Sequence, residues 1–130
     1  MPVEPISLAD YLLIGEAVLG IEAERLARVV KAGPAESALG APFGGFGDHE
    51  QYPEFADKAA ILCARLVRNH PLPDGNKRAA LVAMLEFVER NGHRWLAPND
   101  VDDVAVTIER LAARDLDEET FRAWVAERIG

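Results

Sequence analysis

The amino-acid sequence predicts an all-α protein, a compact helical bundle around a central buried helix at about residues 76–91. Three observations predict it. Apolar residues recur at helical rather than alternating spacing along most of the 130 residues. Ser, Asp and Asn stand where helices begin, and Gly or Pro where they stop. The stretch 79–88 is apolar on nearly every side, as expected of a helix enclosed by others.

The elements follow in order. Ser7 and Asp10 have capping-box spacing, with Asp in place of Glu, and open an apolar-rich helix that Gly20 ends. A second helix is expected from about Glu22 to Lys31, with Ala23, Leu26, Ala27 and Val30 on one face. Gly33-Pro34 breaks it, and Pro34 can open a short helix through Leu39. Residues 40–53 hold four glycines and two prolines and form the least helical segment. Phe43, Phe46 and Tyr52 within it argue for a functional loop packed onto the body of the protein. A helix from about Glu54 must stop near Asn69, because Pro71 excludes helical geometry at His70. After a tight turn the central helix starts near Gly75 and closes at Asn91-Gly92. Asn99 to Asp102 cap a helix through about Ala113, and Asp117 caps a last one through about Arg128.

At this length the chain reads as a single domain, 1–130, able to bury a core without staples. No basic, apolar leader begins it and no apolar run is long enough for a bilayer, so a cytoplasmic protein without membrane contact is expected. The one cysteine, Cys63, lies in an apolar run and reads as a buried, inert thiol. A net charge of −8 argues against direct nucleic-acid binding. The charge is uneven, however. Residues 65–78 carry Arg65, Arg68, Lys77 and Arg78 against one acid, Asp74, which suggests a local anion site.

That island contains residues 70–78, His-Pro-Leu-Pro-Asp-Gly-Asn-Lys-Arg. A helix start carries about half a positive charge and favours acids. The starts at Asn99 and Asp117 are rich in Asp and Glu, whereas the helix near Gly75 has Lys77 and Arg78 in its first turn. A bound anion, held by free backbone N–H groups and both cations, removes the conflict. Gly75 clears space beside the backbone, Asn76 holds the turn, Asp74 suits a magnesium ion bridging to phosphate, and His70 suits a proton acceptor. Each residue also has an ordinary reading: His70 as a helix cap, Asp74 as a cap for Lys77 N–H, Asn76 as a turn former, Lys77 and Arg78 as cations paired with Asp74. Together those readings leave two cations at a helix start without a cause.

Residues 70–78 resemble the active-site motif of the Fic/Doc family, and Lys77 with the short chain resembles its Doc (death-on-curing) branch, toxins of bacterial toxin–antitoxin pairs. The likeness extends to residues 33–42, Lys58-Ala-Ala60, Phe87 with Asn91-Gly92, and the closing stretch from Leu116 to Trp124. The resemblance implies a kinase that phosphorylates a threonine of elongation factor Tu with ATP and Mg2+ and halts translation. By position, His70 is then the base, Asp74 the metal ligand, and Gly75, Asn76, Lys77 and Arg78 the nucleotide-binding residues. AMP-transferring relatives carry glycine at the Lys77 position and a second arginine at that of Leu81, so both residues point from AMP transfer towards phosphate transfer. Leu72 stands where Phe is usual. The inhibitory Ser/Thr-to-Glu motif of some relatives is missing, so inhibition is expected from an antitoxin whose C-terminal segment lies near the first two helices. The resemblance makes 40–53 the flap that docks the target, a role open to His49 or Tyr52. AMP transfer to a protein hydroxyl, or a catalytically idle antitoxin-binding regulator, are the rival functions. His93 reads as a helix-end or surface residue, Trp95 and Trp124 as packing aromatics, and Arg65 and Arg68 as a solvated face, with Arg68 within possible reach of the nucleotide.

Overall fold

A computed structural model describes residues 2–96 and 101–130 of the chain. The described helices are α1 (Leu8–Leu19), α2 (Ala23–Val29), α3 (Ala32–Gly40), α4 (Phe55–Asn69), α5 (Asn76–Arg90), α6 (Val101–Ala112) and α7 (Glu118–Ala126). A single 3-10 turn, Ala41–Phe43, and a two-stranded antiparallel hairpin, β1 (Gly45–Phe46) and β2 (His49–Glu50), fill the glycine-rich segment. The fold is therefore mostly α, with its only described strands where helical spacing is lost. None of the described helices is long and apolar enough to cross a membrane.

Local chemistry explains the boundaries. Ser7 Oγ accepts from Asp10 N–H and Asp10 Oδ2 accepts from Ser7 N–H, each at 3.0 Å, completing the capping box of α1. Gly20, left-handed at φ 72, ends that helix. The second helix stops at Val29 rather than Lys31. Val30 is extended, and Lys31 N–H leaves the helical ladder to donate to Pro71 O at 2.9 Å. The third helix starts two residues before Pro34, which lies in its first turn where the missing N–H costs nothing. Asp117 caps α7 by accepting from Thr120 N–H at 2.7 Å. The cap expected at Asn99 lies outside the described residues.

The core lies between α4 and α5, which share the centre. The former packs against α3, α5, α6 and α7, and the latter against α1, α4 and α6. Leu62, Leu66, Val67, Met84, Phe87, Leu111 and Phe121 fill the space between them. Cys63 is buried there, and burial pushes its thiol up to about 12, so it stays protonated and inert. His93 follows α5 and stacks on Phe55 with ring centroids 4.0 Å apart. Trp95 and Trp124 pack together at 5.7 Å, and Trp95 pairs with Ile129 in an isolated bridge that ties down the chain end.

The amino-terminal segment is strapped to the far end of α5. Asn91 exchanges hydrogen bonds with Glu4, and Arg90 donates to Pro5 O at 3.0 Å and Asp10 Oδ2 at 2.8 Å. The Arg90 hydrogen bond, with the Ser7 N–H, holds the Asp10 carboxyl at about 2, below its usual 3.8. A folded value below the unfolded one gives stabilisation that is full above 3.8 and is lost as pH falls through about 2. Asp10→Ala is expected to cost about 1–2 kcal/mol at neutral pH in urea unfolding. The gap to the parent should narrow as pH is lowered below 3.8; a gap independent of pH refutes the assignment.

Candidate active site

The loop between α4 and α5 begins with a residue in an unusual conformation. His70 closes α4 at φ 48, ψ 53, a left-handed geometry that few residues other than glycine adopt. Pro71 contributes to this, since it disfavours a right-handed helical residue before it. The reversal sends the chain back over α1 and α2. Pro71 O accepts from Lys31, and Asn69 Nδ2 donates to Pro34 O at 3.0 Å, so both ends of α3's leading turn hold the loop. Leu72 then drops into the core, where its side chain faces Gly15 of α1. Leu72 is thereby buried, 3% exposed.

Asn76 closes the loop. Its side chain, only 6% exposed, accepts from Leu72 N–H through Oδ1 and donates from Nδ2 to Leu72 O, both at 2.9 Å. A backbone that lies too far from helix or sheet to pair is satisfied in both directions by one amide. Gly75 precedes it at φ 68, and a Cβ there would stand 2.6 Å from Leu19 Cδ2. The left-handed conformation favours glycine here, whereas the Leu19 methyl is a side-chain end that can shift.

The consequence is a helix start that is open to solvent. No side chain caps α5 and its first turn contains no acid. Asp74 Oδ1 accepts from Gly75 N–H at 2.8 Å, not from Lys77, which leaves its other oxygen free. The N–H groups of residues 76–78 therefore point outward without an internal partner, as expected of the first turn of a helix. They face a cavity of about 370 Å³ lined by His70, Pro73, Asp74, Gly75, Asn76, Lys77 and Arg78. All six candidate site residues named from the sequence come together here.

His70 Nδ1 lies 3.3 Å from Val67 O, a carbonyl that can only accept, so the contact places a hydrogen on Nδ1. Arg78 is exposed and has no ion-pair partner among the described residues. Lys77 differs from the sequence expectation. Its Nζ meets Glu109 Oε1 of α6 at 2.8 Å, a partner 32 positions away. Among the other basic residues, Arg65 and Arg68 are not a free solvated face: both bind Glu118 of α7, at 2.7 and 3.1 Å, and neither lines the cavity. Tyr52 is buried beneath Arg122 and meets Arg65 at 3.5 Å, whereas His49 lies exposed on β2.

Lys58 carries a role that its place in an apolar run conceals. Buried in α4, its ammonium donates to Pro42 O at 3.3 Å and Glu50 Oε1 at 3.1 Å and lies 5.7 Å from the Phe43 ring centroid. It fastens both roots of the hairpin, whose strands are otherwise exposed. The only cue in the sequence is a lysine one turn into an apolar helix face.

Comparison with protein-family models matches residues 5–88 to the family described as the Fic/DOC family. The chain is also similar to Toxin Doc of Mycolicibacterium smegmatis (strain ATCC 700084 / mc(2)155). The two are 34% identical over 123 residues, covering 95% of this chain and 92% of that protein. No solved structure matches the chain.

Asn76→Ala leaves the buried N–H and C=O of Leu72 unpaired and is expected to cost about 2–3 kcal/mol in urea unfolding. Amide exchange at Leu72 should rise as well; unchanged exchange would show the clasp to be dispensable. Lys58→Met should keep the helical core, seen by circular dichroism, while a protease cuts within 43–51 faster than in the parent. Equal cutting rates would mean the hairpin is held by something other than Lys58.

Proposed function

The chain belongs to the Fic/DOC family, and from that premise we propose that it is the toxin of a toxin–antitoxin pair, acting as an ATP-dependent protein kinase. The observation that carries this reading is the open start of α5. Uncapped N–H groups, Lys77 and Arg78 face a cavity that His70 also lines, its Nδ1 engaged with Val67 O.

In the reaction proposed, the triphosphate of ATP lies against the helix start, with the N–H groups of 76–78, Lys77 and Arg78 balancing its charge. His70 Nε2 receives the proton of a threonine hydroxyl as that oxygen bonds to the γ-phosphorus. The bond from the γ-phosphorus to its bridging oxygen breaks, and ADP leaves. Asn76 acts indirectly, by holding the loop in the shape that faces His70 towards the helix start. No group of three or more His, Cys, Asp or Glu gathers among the described residues. The free oxygen of exposed Asp74 fits magnesium held by one carboxylate together with phosphates. Bound there, the ion would neutralise phosphate charge.

Phosphate transfer is favoured over AMP transfer by two residues. Lys77 occupies part of the cavity that glycine leaves open in AMP-transferring relatives, and Leu81, partly buried against the core, supplies no second cation. By its likeness to the Doc branch, the target is a threonine of elongation factor Tu and translation is what stops. The hairpin of 45–50, with Phe46 90% exposed at its turn, is suited to meet that target. Leu13 and Val29 stand exposed on α1 and α2, helices that carry the motif loop, and suit the C-terminal segment of an antitoxin.

Purified protein incubated with elongation factor Tu and Mg2+ should transfer label from γ-labelled ATP. Transfer from α-labelled ATP instead would replace the kinase with an AMP transferase. His70→Ala should lower the rate at least ~100-fold, the scale of general base catalysis, and should relieve growth arrest. Full activity in that variant removes His70 from the mechanism.

A further inference from the structure

Of the two cations at the start of α5, one is already held. Lys77 lines the cavity, yet its ammonium is 2.8 Å from Glu109, which projects from α6. Arg78 has no such partner among the described residues. The helix α6 packs against α4, α5 and α7, so Glu109 is carried on a fixed backbone beside the cavity-lining Lys77. We propose that Glu109 sets the affinity of the cavity for its nucleotide: its carboxylate holds the Lys77 ammonium at the rim, and a phosphate must displace it. This rests on the reading of the cavity as an ATP site.

The physics of the pair supports exchange over permanence. The side chains of Lys77 and Glu109 are 44% and 66% exposed, and ion pairs so exposed are weak and sensitive to salt. Lysine bears a point charge on a flexible stem, so it can leave one anion for another without backbone movement. A phosphate brings more charge than a carboxylate and also meets the outward N–H groups of α5, which Glu109 does not contact. The phosphate therefore wins the exchange, but binding is weakened by the fraction of time Lys77 spends on Glu109. Glu109 is thus a positioning residue that acts on nucleotide through Lys77.

The test is ATP binding with Mg2+, by calorimetry, to the full chain and to Glu109→Gln, Lys77→Met and the double variant. Glu109→Gln should tighten ATP binding by about two- to fivefold, the range available from an exposed pair. The gain should shrink as salt is raised, and in kinetics it should fall on KM and leave kcat unchanged. In the Lys77→Met background, Glu109→Gln should have no effect. Unchanged or weaker ATP binding in Glu109→Gln overturns the proposal, as does equal tightening with and without Lys77, which would mark a diffuse charge effect. Absence of ATP binding in every protein would overturn the nucleotide reading of the cavity, and this proposal with it.

Discussion

One side-chain amide ties the site to the core. Asn76 grips Leu72 through both its N–H and its carbonyl, and this clasp joins the residue that plunges into the core to the residue that starts α5. Everything chemical in the loop lies on one side or the other of that link. Leu72 against Gly15 fixes the depth of the loop, and the left-handed turns at His70 and Gly75 fix its direction at each end. That His70 and the start of α5 line one cavity is thus a joint product of the loop's own turns and of its packing on α1 and α2. The left-handed backbone at His70, which costs on the order of 1 kcal/mol, persists because these neighbours over-determine it.

The acidity of the chain bears on how such a site works. With a net charge of −8, the protein as a whole repels a nucleotide at long range. At physiological salt that field fades within about 8 Å, so the site must act through contacts. Backbone N–H groups suit this task because they carry no net charge for an acidic surface to neutralise. Acids stand in the first turns of α1, α2, α4, α6 and α7 but not in those of α3 and α5, and of these two only α5 has basic residues, Lys77 and Arg78, in their place. What sets α5 apart is therefore the pair of cations in its first turn, not the missing acid alone.

Much of this was legible in the sequence, because local rules decide it. Capping at Ser7 and Asp117, stops at Gly20 and Gly92, and the helix-free stretch 40–53 follow from propensity and hydrogen bonding within a few residues. The gathering of His70, Asp74 and Gly75 to Arg78 was legible for the same reason: nine consecutive residues cannot lie far apart. What escaped were pairings set by tertiary structure. Glu109 on Lys77, Glu118 on both Arg65 and Arg68, and Lys58 on Pro42 join residues that no spacing rule connects. The early stop of α2 belongs to the same class, since Lys31 is drawn out of its helix by Pro71, forty positions on. The hairpin's register, Gly45 with Glu50 and Phe46 with His49, also lay beyond a pattern too short to show alternation.

The hairpin is built unlike the rest of the protein. Its strands bury nothing, and it is held at its roots by the Lys58 ammonium on Pro42 O and Glu50, by Phe43 against Phe87, and by the buried Tyr52. Within the strands only Glu50 takes part in that fastening, through its carboxylate. Substitutions at Phe46, Asp48 or His49 leave the core and the motif loop untouched. Within such an arrangement, the surface shown to a target can change in evolution at a different pace from the chemistry performed on it.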